Sequence, residues 1–201
     1  MTKAKLEQRM LAHRITTPVE SGYLKRGSEL PALARRAVET FVREHAVIAS
    51  NIPPPDSVLN QRAACFVCIK SDLMLRGCIG TIQPAKDTLA EEIITNAISA
   101  ATRDPRFQPV SDAELPKLLY SVDVLYAPEP ARFEDLDPAE FGVIVEDREG
   151  LRRGLLLPNI EGVETAGQQV RIAARKAGIP LDSSLRLQRF RVCRFSEPAE
   201  K

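Results

Sequence analysis

The stretch Ala63-Ala64-Cys65-Phe66-Val67-Cys68-Ile69-Lys70-Ser71-Asp72-Leu73-Met74-Leu75-Arg76-Gly77-Cys78-Ile79-Gly80 decides how the chain folds. Ala63 to Lys70 is an apolar run of strand length, Ser71-Asp72 is turn chemistry, and Leu73 to Ile79 resumes as the partner strand of a hairpin. Gly80 and Pro84 end that strand. Downstream, Thr88-Leu89-Ala90-Glu91 is a capping box that opens a helix running to about Arg103. Its stripe, Leu89, Ile93, Ala97, Ala100 and Ala101, becomes small-residued toward the C-terminus, so that end is expected to press against the hairpin.

The same punctuation organises the rest. Upstream, Pro31 to about Ala49 carries Leu33, Ala37 and Phe41, with Ala34, Val38 and Val42 beside them, at helical spacing. The Asn51–Asp56 segment, with three successive prolines, breaks that helix as a stiff loop. His45 falls near the apolar stripe and is expected to pack or hydrogen-bond there. Asp104-Pro105 stops the second helix, and Ser111-Asp112-Ala113-Glu114 opens a short helix cut off near Pro116. Leu118 to Tyr126 alternates as a strand, with Ser121 and Asp123 on its wet face. Phe141 to Glu146 and Leu151 to Leu157 form a second hairpin. Thr165 caps a last helix that ends at Gly178, and Leu185 to Phe195 is a closing strand whose change of phase between Leu187 and Phe190 suggests a bulge. Hairpins interrupted by helices, without a βαβ rhythm, predict an α+β fold with a mainly antiparallel sheet.

Composition sets the outer limits. The 201 residues are 44% hydrophobic and 27% charged, as in an ordinary globular domain. No apolar run is long enough to span a bilayer, and no apolar segment follows the charged N-terminus as in a secretory signal; the expected location is cytoplasmic. Residues 1–27 hold six Lys/Arg against two Glu and read as a basic, flexible tail, whereas the body, from Ser28 to Lys201, holds 22 Lys/Arg against 25 Asp/Glu. A net acidic body argues against a broad nucleic-acid surface, even though Arg186 to Phe195 interleaves arginines with aromatics. Charge guarding an edge strand explains those arginines more simply.

The four cysteines, Cys65, Cys68, Cys78 and Cys193, are expected as free thiols. Cys65 and Cys68 spell C-x-x-C, but on a strand residues three apart face opposite ways, so no metal site is expected. No motif calls for a cofactor. Arg76 and Cys78 face the same way on an unbroken strand, about 7 Å apart, and a guanidinium there favours thiolate. Gly77 leaves room for a ligand or another backbone, and Gly80 permits a backbone conformation other residues resist. Asn96, Asp104 and Arg106 come near if the helix packs as expected, with Asp104 orienting Arg76 or accepting a proton.

Leu75-Arg76-Gly77-Cys78-Ile79-Gly80 resembles the hallmark hexapeptide of the AMMECR-domain family, and Asn96-Ala97, Ala100-Ala101 and Asp104-Pro105-Arg106-Phe107 resemble its second signature. Val122 to Leu125, Gly154 to Pro158, Lys176 to Ile179 and Arg189 to Val192 extend the likeness, which covers residues 28 to about 195. Leu181-Asp182-Ser183-Ser184 departs from it, since relatives often carry an aromatic residue there. The resemblance implies a two-lobed fold with a cleft between lobes near the hexapeptide, and a role beside a Memo-like protein and a radical-SAM enzyme. It supplies no reaction.

Three functions compete. The first is a cleft that binds or modifies a small anionic molecule, with Arg76, Gly77, Gly80, Asn96, Asp104 and Arg106 binding and Cys78 as thiol contact or catalytic acceptor. The second is a non-catalytic interaction adaptor, and the third, least favoured by charge, is a nucleic-acid-binding module.

Overall fold

The computed structural model describes residues 29–49, 57–180 and 184–198. The basic tail at 1–27, the proline loop at 51–56 and residues 181–183 of the departure from the family pattern lie outside them. Among the described residues, eight strands form two four-stranded antiparallel sheets. In chain order the elements are α1 (Glu29–Glu44), β1 (Cys65–Ser71), β2 (Met74–Gly80), α2 (Leu89–Thr102), β3 (Leu118–Leu125), β4 (Glu129–Pro130), β5 (Gly142–Asp147), β6 (Arg153–Leu156), α3 (Ala166–Lys176), β7 (Leu185–Phe190) and β8 (Val192–Ser196). The first sheet runs β2-β1-β3-β8 and the second β4-β7-β5-β6. The α+β expectation holds.

Alternation sorts each sheet into two faces. Cys65, Val67 and Ile69 of β1 and Leu118, Tyr120, Val122 and Val124 of β3 face α1 and α2 in the main core. Val143, Val145 and Leu156 face α3. The faces turned away from the helices meet each other: Phe66, Leu125 and Val192 of the first sheet pack with Ile144, Leu155 and Phe190 of the second and with Leu157 just after β6. An apolar seam thus joins the lobes, and the expected cleft remains an expectation. A depression of about 450 Å³ lies on the second sheet, lined by Pro130, Ala131, Glu146 and Leu185 to Gln188, and includes none of the expected site residues.

Local chemistry accounts for the element ends. Thr88 and Thr165 cap α2 and α3 through reciprocal boxes with Glu91 and Gln168. α1 stops at Glu44, short of the expected Ala49, because His45 turns to a left-handed φ of 55°. His45 is exposed, with its ring edge-on to Phe41 at 6.3 Å, instead of packed in the core. The short helix after Ser111 is a 3-10 turn, Asp112–Lys117.

Two expectations change more deeply. Leu185 to Phe195 is not one bulged strand: it breaks at Arg191, so β7 belongs to the second sheet and β8 to the first. The phase change marks a switch between sheets. Asp123 is not on a wet face; it is 2% exposed, in the register facing Arg194, whose guanidinium donates to both its oxygens at 2.6 and 2.8 Å.

Candidate functional site

β2 is an edge strand, and its outer edge is where the two sequence signatures meet. In the register Cys68↔Cys78 the backbone of Cys78 points away from β1. Its N–H donates to Asp104 Oδ2 at 2.9 Å, and its carbonyl accepts from Arg106 Nη2 at 3.4 Å. The turn after α2 therefore occupies this part of the edge as a neighbouring strand would, which blocks pairing with a foreign chain. Asp104 also takes the Arg106 guanidinium through both oxygens, at 2.9 and 2.6 Å. Buried to 2% side-chain exposure, its carboxyl is held well below the usual carboxylate range, first by that guanidinium and then by the two backbone N–H bonds.

Arg76 does not join this cluster as expected. The β1–β2 register slips between Ile69 and Lys70, leaving Arg76 as the unpaired residue of a bulge. Its guanidinium goes to Glu114 of the 3-10 turn, at 2.7 and 3.2 Å, and lies 5.8 Å from the Phe107 ring centroid. Glu114 also accepts from the Ser111 N–H, and its carboxyl is lowered to about 2, chiefly by Arg76. The expected Arg76–Asp104 latch is thus replaced by two separate pairs.

The remaining expected residues are placed as follows. A Cβ on Gly77 would stand 2.2 Å from the Ala100 carbonyl oxygen, so the backbone that approaches Gly77 belongs to α2, as the alanine-rich end predicts. Gly80 has no left-handed φ; what it provides is space, since a Cβ there would lie 2.3 Å from the Phe66 ring. Asn96 is buried, donating to the Cys65 carbonyl at 3.0 Å beside Glu92. Glu92, 1% exposed, holds the loop after β2 through Thr81 Oγ1 and the N–H groups of Ala85 and Lys86. Asn96 and Glu92 form a structural polar network inside the helix–sheet layer.

The cysteines depart most from expectation. Cys65 and Cys68 do face opposite ways, but Cys68 is joined to Cys78 across the hairpin by a disulfide, with Cα atoms 4.1 Å apart. No free Cys78 thiolate stands beside Arg76. Cys65 is a sealed thiol, pushed up to about 12 by burial. Among the described residues no cluster of three or more His, Cys, Asp or Glu could hold a metal, and no helix is long and apolar enough to cross a membrane.

Sequence reasoning missed Lys176 as a site residue. It ends α3, where a cation complements the helix dipole, and that ordinary role concealed its position. Its ammonium donates to the Leu155 carbonyl at 3.2 Å, and its pKa is lowered, first by burial and then by the charge of Arg106. The charge of Arg106, from the first lobe, thus acts on Lys176 of the second. The closing arginines are engaged: Arg186 with Glu146, Arg189 with Glu129, Arg191 with Glu140 and Arg194 with Asp123.

A family model described as AMMECR1 matches residues 31–197. The chain belongs to the AMMECR1 family. A Thermotoga maritima relative is 50% identical over 81% of this chain and 94% of its own length. A Clostridium acetobutylicum protein is 47% identical over 71% of the chain, a match that spans only 31% of that longer protein. The crystal structure of an uncharacterised protein from Pyrococcus horikoshii superposes with a TM-score of 0.77 at 32% identity, covering 85% of this chain and 91% of that one. AMMECR1 membership accounts for the shared signatures and assigns no reaction.

Proposed function

We propose that this AMMECR1 chain binds a small anion between Arg106 and Lys176, as an accessory component beside a Memo-like protein and a radical-SAM enzyme. The observation that carries the reading is the half-exposed Arg106 guanidinium, held at the β2 edge by Asp104 and the Cys78 carbonyl, whose charge also acts on Lys176. Lys176 is partly desolvated, its one described partner is a backbone carbonyl, and Arg106 is half-exposed. Asp104 compensates the Arg106 charge, whereas Lys176 is disfavoured by burial first and by Arg106 second, and an anion beside Lys176 removes that cost. Asp104 fixes the direction of Arg106, so the cation is pre-positioned. Arg76, tied to Glu114, supports the edge from the side.

The test is thermal unfolding in phosphate, sulfate or citrate against chloride at matched ionic strength. A bound anion raises the wild-type midpoint with a saturating dependence, reaching about 2.7 kcal/mol at one hundred times Kd. The rise shrinks in Lys176→Met. No ion-specific rise, or an equal rise in that variant, overturns the assignment. Copurification with Memo-like and radical-SAM proteins tests the partnership separately.

A second reading, the adaptor, has its own observation. Leu73, Met74 and Leu75 at the hairpin tip are 68%, 73% and 41% exposed, a run of apolar side chains left in water. In that case Met74→Ser abolishes partner capture and leaves the anion response intact.

A further inference from the structure

Cys68 and Cys78 oppose each other on the hairpin face turned away from α1 and α2, and both are partly exposed. Cys65, three residues away on the same strand, is fully sealed. The hairpin has other restraints at the same place: the β1–β2 ladder, the seating of Gly77 on α2, and the Asp104 bond to the Cys78 N–H. The sulfurs are thus held opposite one another whether or not a bond joins them, and solvent reaches the pair. The Arg106–Asp104 pair holds the Cys78 backbone from both its carbonyl and its N–H, which fixes that end of the pair in place.

We infer that Cys68 and Cys78 are a reversible dithiol–disulfide couple, a redox site that exchanges electrons with thiol compounds. The reductant is a dithiol, or two molecules of a monothiol. Its thiolate attacks Cys68 Sγ, forming a mixed disulfide and breaking the bond to Cys78, whose sulfur leaves as a thiolate. The second reductant thiolate attacks the sulfur of the first, releasing the oxidised disulfide and Cys68 as thiolate. The two protons of the reductant pass through solvent to Cys68 and Cys78, so two electrons and two protons enter the protein. In the reverse direction the dithiol reduces a disulfide. This activity goes beyond the anion reading and does not depend on it.

The experiment uses the full chain in graded mixtures of reduced and oxidised glutathione, acid-quenched, alkylated and mapped by peptide mass. Cys68 and Cys78 are expected to change together, the protein gaining the mass of two hydrogens on reduction, with an unaltered circular dichroism spectrum. Cys78→Ser is expected to trap a glutathione adduct on Cys68. Reduction only after unfolding in urea would make the bond a fixed staple and overturn the inference. So would two thiols that stay unpaired in oxidised glutathione. Both overturning results are read on the wild-type chain, so a Cys78→Ser variant that folds poorly leaves the test intact.

Discussion

Asp104 concentrates the local argument at the residue scale. Its carboxylate accepts from Cys78, from the Arg106 backbone and from the Arg106 guanidinium while almost wholly buried. Asp104→Ala strands those donors and is expected to cost about 2–3 kcal/mol in urea unfolding. Both Asp104 and Glu114 titrate below their ordinary values when folded. Their contribution is therefore complete above the ordinary carboxylate pKa, about 4, and is lost as pH falls through about 2 for Glu114 and lower for Asp104. The wild-type urea midpoint should drop across that acid range, and the drop should be shallower in Asp104→Ala. The motif residues could be picked out from sequence, but their partners could not. A turn centred on Ser71-Asp72 sets Cys68 opposite Leu75. The observed turn at Asp72-Leu73 would set it opposite Gly77, and only the added bulge at Arg76 brings it to Cys78. Two one-residue events, neither with a periodic signal, decide the disulfide and send Arg76 to Glu114.

At the scale of elements, the β1–β2 turn carries an evident strain. Asp72 and Leu73 have φ of 50° and 66°, the left-handed region where a Leu Cβ crowds the backbone. Glycine suits that position in a two-residue hairpin turn. Leu73→Gly is expected to stabilise the protein by about 1 kcal/mol, read as a higher urea midpoint with unchanged slope. An unchanged or lower midpoint would show that the Leu73 side chain contributes contacts of its own. The helices and their caps were readable because capping boxes and apolar stripes are local. The end of α1 was not, since a single histidine turning left-handed carries no pattern. Gly77 was rightly read as a place of close approach; that the visitor is the Ala100 carbonyl depends on how α2 lies across the sheet.

For the molecule as a whole, the hairpins and helices are legible in the residues, but their division into two sheets was implied only by the family resemblance, and the lobes' joining by neither. The phase change near Phe190 was visible, but one strand leaving a sheet and entering another has the same signature as a bulge. β8 pairs with β3 from Ser121 to Leu125, and Glu197 beyond it accepts from the Tyr120 N–H and from Arg35 of α1. The end of the chain thus holds together elements formed near its beginning. Deleting residues 192–201 should abolish cooperative unfolding of the first lobe, although every other strand and helix of that lobe remains; a sharp, wild-type-like transition by circular dichroism would refute this.

The strand that changes sheets at Arg191 also orders events during synthesis. As the polypeptide leaves the ribosome, β1, β2 and β3 emerge long before the piece that must lie against β3, so that flank stays open while some seventy residues, Tyr126 to Phe195, are still being made. A nascent chain stalled anywhere in that interval presents a ready template for another unfinished copy, and the cell has reason to shield it until the C-terminal strand arrives.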